Sequence, residues 1–186
     1  MVPRRLAEKL VKLLELPPSA LPVGSNPTPL EADEAPSALG ALGYPGFAYL
    51  RGRRRLNPAE LLLRVLGARE VDSRVVEALP WLLLRYPNLD WPWLLREAKA
   101  SDLQNRLGFL LGVARELAEL RGEQDAAQAL AAQERALEGS RLQREDTFRD
   151  SMTEAERRWL HEHRPAQAAH WNVLSTMTAS ELARAY

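Results

Sequence analysis

A chain that repeatedly writes the start of a helix and follows it with leucines at helical spacing has few folds open to it. The clearest start is Asn57-Pro58-Ala59-Glu60. Asn57 can accept from first-turn amides, Pro58 fits the first helical position, and Glu60 can reach back to close a capping box. Ser101-Asp102-Leu103-Gln104 and Thr153-Glu154-Ala155-Glu156 repeat the logic. The pattern predicts helices near 58–67, 73–85, 91–99, 102–121, 124–138, 141–150, 153–163 and 178–185. Gly67, Pro87, Gly122 and Gly139 mark several of the breaks. The expected fold is all-α: an irregular multi-helix bundle with an N-terminal proline-rich extended arm.

The 102–121 segment carries the fullest stripe. Leu103, Leu107, Leu110, Leu111, Ala114 and Leu117 fall on one face, with Arg106, Arg115, Glu116 and Glu119 elsewhere. Burying each leucine yields roughly 1.5–3 kcal/mol before entropy is subtracted. That face must therefore be covered by other helices. Residues 123–150 show only a thin apolar line of Ala127, Leu130, Leu137 and Leu142. They read either as an exposed arm or as a surface packing on a partner through small residues.

Three regions follow. Residues 1–16 form an amphipathic helix with Leu6, Leu10, Leu13 and Leu14 in line, stopped by Pro17-Pro18. Residues 17–55 are a proline-rich arm or linker with a basic end. Within it a short helix at 35–42 and a short strand or docked extended piece at 46–50 are expected. The region is either a flexible connector or an arm that orders on a partner. Residues 56–186 form the helical body.

Composition narrows the function classes. The chain of 186 residues is 46% hydrophobic and 27% charged, a globular balance. Lys+Arg and Asp+Glu both number 25, so no net field draws it to nucleic acid or anionic membrane. With no cysteine, disulfides, thiolate catalysis and cysteine-based zinc sites are excluded. Arg4, Arg5, Glu8, Lys9, Lys12 and Glu15 interrupt the first helix, which therefore does not read as a signal peptide. No apolar run approaches a membrane span. A cytoplasmic protein without membrane contact is expected.

Few residues announce chemistry. Arg51, Arg53, Arg54 and Arg55 form the only basic cluster. They suit phosphates, an acidic protein partner, the chain's own Glu31-Asp33-Glu34 stretch, or plain solvation. His161, His163 and His170 could supply metal ligands. However, positions two apart on a helix diverge by about 200°, so a shared ion requires the helix to end there. Trp81, Tyr86, Trp91 and Trp93 read as rings pinning two helices, or as an aromatic platform. Asp102, Gln104, Asn105 and Arg106 could cap the long helix or hold an anion at its N-terminus. Glu145, Asp146 and Asp150 with Arg141, Arg144 and Arg149 read as surface charge pairs at helical spacing. No phosphate loop, nucleophile elbow or paired catalytic carboxylate is present. The reading leans away from an enzyme, and no cofactor or metal is expected.

Asn57-Pro58-Ala59-Glu60-Leu61-Leu62-Leu63, then Asp90-Trp91-Pro92-Trp93-Leu94-Leu95, then Arg106-Leu107-Gly108-Phe109-Leu110-Leu111 resemble the C-terminal helical region of AbiE-type abortive-infection antitoxins over about a third of the chain. The resemblance implies an antitoxin opposing a nucleotidyltransferase-type toxin. That family usually adds an N-terminal winged helix; residues 1–50 are too little for one, and nothing after Arg121 has a counterpart.

The expected function is a non-enzymatic binding protein that masks a protein partner, as the antitoxin or regulatory half of a bacterial toxin–antitoxin or phage-defence module. Its contacts would come from Arg51, Arg53, Arg54 and Arg55. The alternative is a nucleic-acid-binding regulator using the same arginines. A third reading is a metal-dependent enzyme around His161, His163 and His170.

Overall fold

A computed structural model describes residues 4–23, 30, 34–50 and 56–185. Among these the fold is all-α, with ten α-helices: α1 (Arg4–Leu13), α2 (Glu34–Ala41), α3 (Pro58–Leu66), α4 (Ser73–Arg85), α5 (Trp91–Ala100), α6 (Gln104–Leu120), α7 (Gln124–Glu138), α8 (Glu154–His163), α9 (Ala166–His170) and α10 (Ala179–Ala185). Two 3-10 turns, Pro18–Ala20 and Pro45–Phe47, punctuate the N-terminal third. The only β pairing among the described residues is two isolated bridges, Glu70 with Arg149 and Asp146 with Val173.

The long leucine helix is the axis of the molecule. α4, α5, α7, α9 and α10 all pack against α6. Every residue from Gln104 to Ala114 is buried, so α6 is surrounded rather than covered on one face. Arg106, expected off the stripe, is therefore buried too. α7 lies along α6 through Ala127, Leu130 and Leu137, which settles the thin apolar line as packing within this chain.

The 34–50 stretch is not a free arm. Leu39, Leu42, Tyr44 and Phe47 join the same core as α3, α4 and α6. The expected short helix is α2, whereas residues 46–50 form a 3-10 turn and bends instead of a strand. Pro45 sets that turn, since a ring-locked φ suits its first position.

Three local expectations are corrected. Ser101 does not cap α6; it ends α5, and the chain turns through Asp102 at φ 58° before α6 begins at Gln104. Gln104 and Asn105 instead turn outward to the chain after α7, where Asn105 holds both the N–H and the carbonyl of Leu142. Residues 141–150 are accordingly not a helix. Their amides are taken by Asn105 and by Asn172, whose carbonyl accepts from Asp146 at 2.8 Å. The five-residue α9 was too short to show a periodicity.

Asn57 does more than cap. Its Oδ1 accepts from the Ala59 amide at 2.8 Å, while its Nδ2 donates to the carbonyls of Ser19 at 3.1 Å and Leu21 at 2.5 Å. It thus ties the N-terminal segment to α3 from a site only 2% exposed. Loss of a cap costs about 1 kcal/mol and each buried bond about another. Asn57→Ala is expected to lower stability by about 2–3 kcal/mol and to speed proteolysis of α1. Limited proteolysis and urea unfolding check both effects.

Candidate docking groove

α1 is the first departure from simple burial. Its small residues Ala7 and Val11 pack on Leu21 in a separate small cluster. The leucines that form its stripe point outward instead: Leu6 is 48% exposed, Leu10 40%, Leu13 77% and Leu14 60%. Contiguous exposed apolar faces on folded chains are often interaction surfaces.

α8 is the second. None of its residues is buried. Polar staples at its ends hold it in place. Thr153 and Glu156 close a capping box, with the Thr153 amide donating to Glu156 at 2.7 Å. Arg149 donates to the same carboxylate at 2.7 Å, Glu70 accepts from the Ser151 amide and hydroxyl, and His161 meets Glu145. The donated bonds from Thr153, then from Arg149, hold the Glu156 carboxyl below the ordinary carboxylate range. A carboxylate depressed in the folded state stabilises at pH above its unfolded value, and that contribution fades as pH falls through the folded one. The protection of α8 amides, relative to their intrinsic exchange at the same pH, is therefore expected to fall on acidification below the ordinary glutamate range. Glu156→Gln should lower that protection at neutral pH, and the two proteins should converge in acid.

Because α8 is held by its ends, a groove of about 1150 Å³ stays open between it and the body. Ala155, Trp159 and Leu160 line the α8 side. Val76 from α4, Phe148, and Leu174, Met177 and Leu182 from the C-terminal segment form the floor. Trp159 is 53% exposed at the rim. The lining charges are unequal: Asp72, Glu77, Glu156 and Glu181 against Arg149, which is already paired with Glu156.

The residues singled out for chemistry go elsewhere. Arg51, Arg53, Arg54 and Arg55 lie outside the described residues, as do Glu31 and Asp33; Glu34 pairs with Arg64 at 2.9 Å. The three histidines do not converge. His161 meets Glu145, His163 donates to the Trp159 carbonyl at 2.7 Å and stacks on that indole, and His170 lies 3.0 Å from Glu138 beside Arg141. Among the described residues no group of three His, Cys, Asp or Glu could hold a metal ion.

Tryptophans 81, 91 and 93 are structural pins. Trp81 meets Tyr44 and Tyr86 edge-on, Tyr86 donates to the Leu42 carbonyl at 2.7 Å, and Trp93 is buried. The anion reading of the α6 start is also overtaken, because Arg106 already holds Asp146 at 2.8 Å. The surface pairs expected within 141–150 are replaced by distant partners. Arg144 reaches Asp102, Arg149 reaches Glu156 and Asp150 reaches Arg69.

The groove escaped sequence reading, although one trace was there. Met152, Ala155, Trp159 and Leu160 recur at helical spacing in a segment with no other apolar residues. What fold and groove define is a class: an all-α chain with an open, apolar, acid-rimmed cleft and an exposed leucine helix. No helix among the described residues is long and apolar enough to cross a membrane. No protein-family model, curated protein or solved structure matches the chain.

Proposed function

We propose that this chain is a non-enzymatic binding protein that masks a partner protein, as the antitoxin or regulatory half of a bacterial toxin–antitoxin or phage-defence module. The groove beneath α8 carries this reading. It is long, mostly apolar and open to solvent, the form that receives one face of an amphipathic helix. The steric role moves with it. Residues 34–50 are committed to the core, so masking falls to the groove rather than to that stretch. The cellular setting rests on the antitoxin resemblance.

Co-expression with the product of the neighbouring gene tests the reading. A complex that survives gel filtration is expected, with the neighbour losing its toxicity. Ala155→Arg, at an exposed position on α8, places a long cation in the groove and should abolish that complex. A non-toxic neighbour that forms no complex ends the proposal. The competing regulator would bind random duplex with log affinity falling steeply against log salt; that result would replace the masking role.

A further inference from the structure

We infer that α8 is a lid, held off the groove by one exposed latch and closing onto it when that latch lets go. The inference rests on reading the groove as a helix receptor and adds its regulation. α8 makes no extended packing against another helix among the described residues, and none of its own residues is buried. Its apolar side chains nevertheless face the groove: Ala155, Trp159 and Leu160 line it, and Trp159 is left 53% exposed. An apolar helix face held over an apolar floor gains by meeting it. What opposes closure is polar and sits at the two ends. At the N-terminal end, Arg149 holds Glu156 and Glu70 holds Ser151. At the C-terminal end, His161 Nδ1 donates to Glu145.

The latch has a second position built beside it. Nη1 of Arg164, the residue after α8, is buried with no hydrogen-bond partner among the described residues. It lies 3.6 Å from Glu145 Oε1, the same oxygen that His161 occupies. Two side-chain donors thus contest one acceptor. His161 and Glu145 are 55% and 41% exposed, so their contact contributes little. The Arg164 side chain is only 13% exposed, and its orphaned N–H is costly. A short step of Glu145 toward Arg164 satisfies the buried donor and releases only an exposed histidine, so the two positions lie close in free energy. With Glu145 on Arg164, α8 is stapled at its N-terminal end alone. Arg164 and Pro165, both extended, join it to α9 and give it slack. The C-terminal half of α8, which carries Trp159 and Leu160, then settles toward the groove floor. The closed lid fills the place that a partner's helix would take, so the contact is autoinhibitory.

The emission of Trp159 in the free, full-length chain reads the lid, isolated in each protein by subtracting a Trp159→Phe control. In the wild type acrylamide should quench it readily. His161→Ala, at an exposed position, should close the lid: Trp159 emission moves to the blue and its quenching falls about twofold or more. Arg164→Met removes the rival donor and should leave Trp159 as accessible as in the wild type, or more so. Circular dichroism should show both variants folded. A purely structural cluster predicts otherwise, since losing either side chain would then loosen α8 alike. Unchanged or increased quenching in His161→Ala, or closure in Arg164→Met, overturns the inference. These readings need no partner, so lid and receptor fail separately. If Ala155→Arg blocks partner capture while His161→Ala leaves Trp159 exposed, the groove keeps its proposed function and only the lid is lost. If no complex forms yet His161→Ala closes the lid, the masking role is lost and the lid stands.

Discussion

Replacing Arg106 with leucine is expected to cost about 3–5 kcal/mol of unfolding free energy. Arg106 and Asp146 are each 11% exposed at the side chain, and Nε meets Oδ1 at 2.8 Å. Its Nη1 donates to the carbonyls of Leu66 at 2.7 Å and Ala68 at 2.9 Å, which end α3 and begin the loop beyond it. The guanidinium also lies over the Phe148 ring, 5.6 Å from its centroid. Removing it strands a mostly buried carboxylate and withdraws a donor from two carbonyls, and both effects act in one direction. Arg106→Lys should recover only part of the loss, because one ammonium cannot reproduce a planar fork addressing three acceptors. Asp146→Asn should cost less than either, since it keeps an acceptor at the same place. The effect reaches the groove, because Thr147, Phe148 and Arg149 line it directly after Asp146. Urea unfolding should show a lower midpoint at constant slope. A loss below about 1 kcal/mol would mean that the pair does not anchor the 146–149 segment.

That pair also explains where sequence reading stopped. α4 and α7 lie at their expected bounds, because their ends are written locally: Asp72 bonds the Arg74 amide, and Gly139 follows the last turn of α7. The capping box at Thr153 is equally local. The 141–150 segment misled for the opposite reason. Its alternating charges resemble helical ion pairs, yet Asp146, Arg144 and Asp150 find partners far away in sequence, while Arg141 keeps a local one in Glu138. Arg106, Asp102 and Arg69 outbid the neighbours three or four positions along. Long-range demands of this kind leave no periodic trace. The leucines of α1 show a different limit. Their spacing correctly predicted a helix, but spacing does not say which side meets the body, and Ala7 and Val11 were the ones that did. The groove was least legible of all. Its walls come from 71–77, 147–160 and 174–182, and only tertiary structure brings them together. The basic cluster Arg51, Arg53, Arg54 and Arg55 lies outside the described residues.

Trp171→Ala should cost about 3–5 kcal/mol, as expected for emptying a large ring from a core. Trp171 is fully buried at the end of α9, and its Nε1 donates to Glu134 at 3.2 Å. Glu134 also takes Gln167 at 2.5 Å and Arg115 at 2.9 Å, so α6, α7 and α9 meet at this one carboxylate. Trp171→Phe should lose less, because a phenyl ring refills most of the space; both variants lose the same Nε1 donor to Glu134, which keeps Gln167 and Arg115. The ring rests directly on Gly108 of α6, where an added Cβ would fall 2.5 Å from three indole carbons. A helix-interior glycine normally gains about 1 kcal/mol on becoming alanine. Here the clash should reverse that sign, and Gly108→Ala is expected to destabilise by about 1–3 kcal/mol. The two changes must then be coupled. With the indole removed, Gly108→Ala should become neutral or stabilising, so the double variant should be more stable than the sum of single losses predicts. Simple additivity would show that α9 does not owe its position to the missing Cβ at Gly108. The groove would feel the difference, because the chain leaving Trp171 runs through Leu174 and Met177 onto its floor.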